Sequence, residues 1–252
     1  MTQRLVVGVL TPHTAAGPEV ELPAMTGGRL DTIVSRTQSL DEETPPREVP
    51  PAHAELRAST QTPAFDRAAV TFGDRTLAAV VHASTTTGYV VGARDEADLL
   101  ERLNQHFEVP AVVSGAAVVA ALRRHGVERV QLMHPPWFDG ELDGLGAAYF
   151  GSQGLDAVVT RATSLPDDPG LVDPHRVAEW LLPHVEDRAE AVFLAGNGFR
   201  AAEAIEELEL RSGRLVVAAN QALLWGVLAA TCASWDLTGY GRLLRSAAAS
   251  EG

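Results

Sequence analysis

The chain has 252 residues, 46% of them apolar, which is enough for one large or two small α/β domains with buried cores. A formal charge of −13 argues against nucleic acid as a partner, because phosphate binding needs a basic face. One cysteine, Cys232, excludes an internal disulfide framework and a multi-cysteine metal site, and the absence of lysine excludes Schiff-base, pyridoxal phosphate and P-loop chemistry.

Leu5–Leu10 is a continuous apolar run of the buried parallel-strand type, ended by Thr11-Pro12-His13-Thr14. Met1 leads straight into it without a signal peptide's basic and apolar regions, so a cytoplasmic protein is expected. Residues 15–36 carry scattered glycines, with Thr32-Ile33-Val34 as a second strand. The acidic, proline-rich stretch from Thr37 to His53 reads as a solvated loop with the composition of a lid. A weak helix is expected over Arg57–Phe72, interrupted near Pro63.

Ala78–Ala83 is again apolar and of strand type, and it ends in Ser84-Thr85-Thr86-Thr87-Gly88. At the carboxyl end of a parallel strand such hydroxyls either cap the next helix or form a cradle for a carboxylate or phosphate. A helix is expected over Asp95–Phe107 and a strand over Pro110–Val113. Ser114 then caps a helix over Ala116–His125. Arg129–Met133 is a strand ending in His134-Pro135-Pro136-Trp137; residues 139–153 read as a helix and Ala157–Val159 as a strand. Asp173-Pro174-His175 opens a helix that runs through Trp180. Ala191–Leu194 is a strand leading into Ala195-Gly196-Asn197-Gly198, with a helix expected over Arg200–Leu210. Leu215–Ala218 is the last strand, followed by a helix over Ala222–Ala233 and a short terminal helix after Gly239-Tyr240-Gly241.

Strands alternating with helices predict an α/β fold with parallel sheets. There is also an internal echo. Arg4–Val7 leading to Thr11-Pro12-His13 parallels Arg129–Leu132 leading to His134-Pro135-Pro136, and Ala79–Ser84 parallels Ala191–Gly196. Two such halves face to face bring four strand ends to one cleft.

These features resemble the Asp/Glu racemase superfamily, in particular its maleate isomerase and arylmalonate decarboxylase branch. The resemblance rests on Thr11-Pro12, Ala83-Ser84-Thr85-Thr86, Pro110–Leu132, Gly196-Asn197-Gly198, Asn220–Trp225 and Gly239–Leu244. It implies two Rossmann-like domains related by pseudo-two-fold symmetry, 1–108 with 220–252 and 109–219, and a cleft between them. It also implies a small carboxylate as ligand and chemistry through an enediolate or carbanion, namely isomerisation, racemisation or decarboxylation. No cofactor, metal, nucleic acid or membrane is expected, and a homo-oligomer is compatible with it.

In such enzymes one or two opposed cysteines do the proton transfer or nucleophilic work. Here the two thiol positions fall on Ser84 and Gly196. A serine hydroxyl is a far weaker acid than a thiol, and glycine offers neither acid nor base. The candidates left for catalysis are Ser84, His134 and His13, the two histidines occupying equivalent places in the two halves. The candidates for substrate binding are Pro12, Thr14, Thr85, Thr86, Trp137, Gly196, Asn197 and Gly198; His82, inside its strand, reads as core. A non-catalytic carboxylate-binding or regulatory protein on the same scaffold is the alternative, since loss of both thiols is what it predicts. Hydration or hydrolysis with a histidine base ranks last, because no Ser-His-Asp order can be assigned.

Overall fold

A computed structural model describes residues 4–37 and 52–248. The first half holds four parallel strands, β1 (Leu5–Thr11), β2 (Leu30–Arg36), β3 (Ala79–His82) and β4 (Ala111–Val113), in the order β2-β1-β3-β4. The second half holds β5 (Arg129–His134), β6 (Asp156–Arg161), β7 (Ala191–Leu194) and β8 (Leu215–Ala218), in the order β6-β5-β7-β8. The two orders are the same, so the echoed pairs occupy equivalent central places: β1 matches β5 and β3 matches β7. Every strand pairing is parallel; Val9 lies between Val34 and Val81, and Leu132 between Val159 and Phe193.

Continuous apolar runs follow from burial on both faces of each sheet. In β1, Val7 and Val9 join the large core shared by both halves, whereas Leu10 joins a second cluster with Phe65, Phe72, Val80, Leu99 and Leu103. The helices that cover the sheets are α1 (Pro18–Met25), α2 (His53–Ala58), α3 (Thr62–Phe72), α4 (Thr85–Phe107), α5 (Ser114–Arg124), α6 (Gly140–Ser152), α7 (Pro174–Leu181), α8 (Ile205–Ser212), α9 (Ala219–Ala230) and α10 (Gly241–Ala248). No helix among the described residues is long and apolar enough to cross a membrane.

Several local expectations change. Helix α1 lies where scattered pieces were expected, because its buried side is made by Leu22 and Met25 together with the carboxylate Glu21, which breaks the apolar period. The helix expected from Asp95 starts ten residues earlier at Thr85, as two helical pieces joined at Gly92. Pro63 starts α3 rather than interrupting it, since proline is well placed in a first turn. Ser114 is the first residue of α5, not its cap, and its hydroxyl points elsewhere. The proposed acidic lid falls on positions 38–51, outside the described residues.

Helices of the two halves also meet. Glu96 on α4 accepts hydrogen bonds from the Gly115 amide (3.0 Å) and from the Tyr149 hydroxyl of α6. Burial is the main influence on this carboxyl and raises its pKa, against the pull of Tyr149 and the Gly115 and Ala116 amides. Replacing Tyr149 by Phe leaves a buried acceptor without its donor, at a cost of about 1–3 kcal/mol. Urea unfolding of Tyr149→Phe should therefore show a lower midpoint at an unchanged m-value.

Candidate active site

In each half the chain leaves its two central strands in opposite directions, and the crevice outside such strand ends is where α/β sheets bind ligands. Here the ends of β1 and β3 meet the ends of β5 and β7 around one cavity of about 350 Å³. It is lined by His13, Ala15, Ser84, Thr85, Thr86, Trp137, Phe138, Pro169, Gly196, Asn197 and Gly198.

His13 follows β1 directly. Its Nδ1–H donates to the Ala15 carbonyl (3.1 Å), which makes Nε2 the bare acceptor; that atom is buried and without a hydrogen-bond partner. Burial, and next the Arg36 guanidinium, lower its pKa to about 4, while Glu19 and the Ala15 and Ala83 carbonyls pull weakly upward. The ring is neutral at pH 7.

Ser84 follows β3 and caps α4. Its Oγ accepts from the Thr87 amide (3.1 Å) and from the Thr87 hydroxyl (2.7 Å), and it lies 3.2 Å from Thr86 Oγ1. Both lone pairs are in use, so the Ser84 hydroxyl can only donate. Cap and cradle are therefore the same residue.

Asn197 follows β7 through Gly196, whose φ of 94° is a left-handed conformation that side chains rarely adopt. Asn197 Oδ1 accepts from the Thr85 amide (3.0 Å) and the Thr85 hydroxyl (3.1 Å). The Ser114 hydroxyl shares its proton between this oxygen (3.1 Å) and the His82 carbonyl (3.2 Å). A backbone N–H can only donate, so the Thr85 amide fixes which end of the Asn197 side chain is oxygen. The other end donates to Asn220 Oδ1 (2.9 Å), and Asn220 Nδ2 bonds both the Asn197 carbonyl (2.9 Å) and Glu21 (2.7 Å). Glu21 also accepts from the Ala202 amide (2.7 Å). A buried polar chain thus runs from α1 through α9 to the cavity.

The remaining walls are apolar. Trp137 meets Phe199 edge-on at 5.7 Å, and Phe138, Pro169 and Ala15 complete the lining.

Three expected residues do not line the cavity: Pro12, Thr14 and His134. His134 is fully buried, with Nδ1 bonded to Asp143 (2.8 Å) and Nε2 to the Tyr89 hydroxyl (3.2 Å). Helix α6 seals it in, because Gly146 packs so closely that a Cβ there would lie 3.0 Å from the imidazole. Burial lowers its pKa, against the pull of Asp143. The histidine equivalent to His13 in sequence is thus a packing residue. Cys232 is exposed and away from the cavity.

The arylmalonate decarboxylase family model matches residues 62–244. The chain belongs to this family. Solved structures agree in fold: an unliganded arylmalonate decarboxylase superposes with a TM-score of 0.78 at 21% identity, covering 96% of this chain and 99% of that one. The maleate isomerase of Pseudomonas putida S16, in a variant with maleate, gives 0.81 at 21% identity over 96% and 97%. The Nocardia farcinica maleate cis-trans isomerase bound to TRIS gives 0.80 at 18% over 97% and 99%. No curated protein matches by sequence.

Within this family fold, the sequence reading missed Ser114, Asn220 and Glu21, the partners that hold Asn197. Asn220 was visible only as a residue at a strand end, and Glu21 only as a charge in an unassigned segment. Burial raises the Glu21 pKa from 4.5 to about 7, opposed by the Ala202 amide, Asn220, the Ala201 amide and Arg200. The folded chain therefore holds a proton that the unfolded chain releases above about pH 4.5, and stability falls as pH rises towards about 7 and then levels. Relative to Glu21→Gln, in which other titrations cancel, the wild type should lose on the order of 3 kcal/mol between about pH 5 and pH 8. Denaturant unfolding at a series of pH values measures it.

Proposed function

We propose that the protein is an enzyme acting on a small carboxylic acid through an enediolate or carbanion, with His13 as the proton carrier in place of thiols. The observation that carries this reading is the bare His13 Nε2 inside a cavity whose other rim offers the hydroxyls of Ser84 and Thr86. A carboxylate whose oxygens accept from those hydroxyls, at the positive N-terminal end of α4, sits where charge grows when the α-carbon loses a proton. The C–H bond breaks, its proton moves to Nε2, and its electron pair delocalises into the carboxylate as an enediolate. Return of the proton from the imidazolium to carbon completes the cycle.

A pKa of about 4 in the empty cavity makes His13 a weak base. A bound anion changes that, because an opposite charge close by favours the imidazolium. The bound substrate thus itself supplies the basicity that the empty site lacks.

A cysteine has no place in this scheme. The Nocardia farcinica isomerase forms a covalently bound succinylcysteine intermediate, whereas the single cysteine of this chain, Cys232, does not line the cavity. Glycine at position 196 and a donor-only serine at position 84 also favour a second reading, a carboxylate-binding protein without turnover.

Incubation in D2O with maleate, aspartate, methylmalonate and arylmalonates, followed by NMR, separates the two readings. The enzyme reading predicts α-deuteration, isomerisation or CO2 loss for at least one compound, reduced about 100-fold or more in His13→Ala. It also predicts that the His13 pKa rises when that compound binds. Ligand-induced line broadening with no exchange for any compound supports the binding protein instead.

A further inference from the structure

We propose that Asn197 fills one of the cavity's carboxylate subsites, so that the ligand is a monocarboxylate with an apolar or aromatic body rather than a dicarboxylate. This deepens the reading above and rests on the cavity being a carboxylate site.

The donor set around Asn197 Oδ1 has the make-up of an anion site. It consists of a backbone N–H in the first turn of α4, the Thr85 hydroxyl and the Ser114 hydroxyl, each 3.0–3.1 Å from one oxygen. A carboxylate oxygen from a ligand would ask for the same three donors. Here an amide oxygen of the chain already has them, and it brings no charge.

That oxygen is firmly held. Asn220 bonds the Asn197 side chain and backbone at once, and Glu21 holds Asn220. Moving Asn197 aside would unpair several buried groups together, each of which costs free energy to leave bare. A ligand is therefore left with the donors on the other rim, the hydroxyls of Ser84 and Thr86.

The cavity cannot neutralise a second charge. No arginine lines it, and His13 is the only titratable lining residue among those described. A second carboxylate would be buried beside Trp137, Phe138 and Pro169 without a counter-charge or free donors, which is unfavourable. The same wall suits a flat apolar group. The consequence for chemistry is direct: loss of CO2 from a malonate needs two carboxylates on one carbon, so a monocarboxylate leaves α-proton transfer as the reaction.

The test is binding of phenylacetate and phenylmalonate, read by isothermal titration and by NMR line shape, to the wild type, Asn197→Gly and Asn197→Ala. Wild type should bind phenylacetate saturably and phenylmalonate about tenfold or more weaker. Both variants, checked by circular dichroism for fold, should narrow or reverse that preference by opening the Thr85 and Ser114 donors. Equal or tighter binding of phenylmalonate by the wild type overturns the inference and leaves the carboxylate site standing. If the wild type binds neither compound, nor any acid of the deuterium-exchange panel, the carboxylate reading falls with it. The wild-type comparison decides the matter even if a variant does not fold.

Discussion

The constraint on which the site depends is that polar groups taken out of water must find partners. The two halves of the molecule meet at strand ends, where amides, hydroxyls and a carboxylate are all sealed from solvent. One asparagine resolves most of these demands. Asn197, carried on the loop after β7, accepts from Thr85 and Ser114 of the other half and donates to Asn220, whose amide ends on Glu21. Burial of these groups on an apolar scaffold would be costly if any link were broken, so the network fixes how the rims of the cavity face each other. Hydrophobic burial holds the sheets; this chain of amides sets the registry between them.

That arrangement also divides the work of the cavity. On one rim the donors are consumed internally. On the other, Ser84 is saturated as an acceptor and left with a proton to give, while His13 is left with a lone pair to receive one. Donor and acceptor roles are thus set by neighbours rather than by the intrinsic chemistry of serine or histidine. The tautomer of His13 comes from a carbonyl two residues away, and the polarity of Ser84 from a threonine three residues on.

The strands were legible because each is an apolar run ended by turn residues, and the equivalence of the halves was legible because β1 and β5, like β3 and β7, end in similar residues. Much of the cavity lining could also be read, since strand ends converge in this topology. What could not be read was which side chains turn inward. His13 and His134 look alike in sequence, yet α6 packs over one and not the other, and only the position of Gly146 decides it. Helix α1 was hidden because Glu21 stands where an apolar residue would complete the period. Ser114 and Asn220 were invisible as partners of Asn197 because hydrogen bonds across 83 and 23 residues leave no local pattern.

Gly17 precedes α1 with φ −141° and ψ −78°, and a Cβ there would fall 1.8 Å from the Asn197 carbonyl oxygen. Its own carbonyl accepts from the amides of Val20 and Glu21 (3.0 and 2.9 Å), so it also anchors the turn that delivers Glu21. The spacing of the two rims is therefore encoded by a missing methyl group. A position without any functional group acts as a gauge for a site several residues away, and drift there would change ligand recognition while every reactive side chain stayed in place.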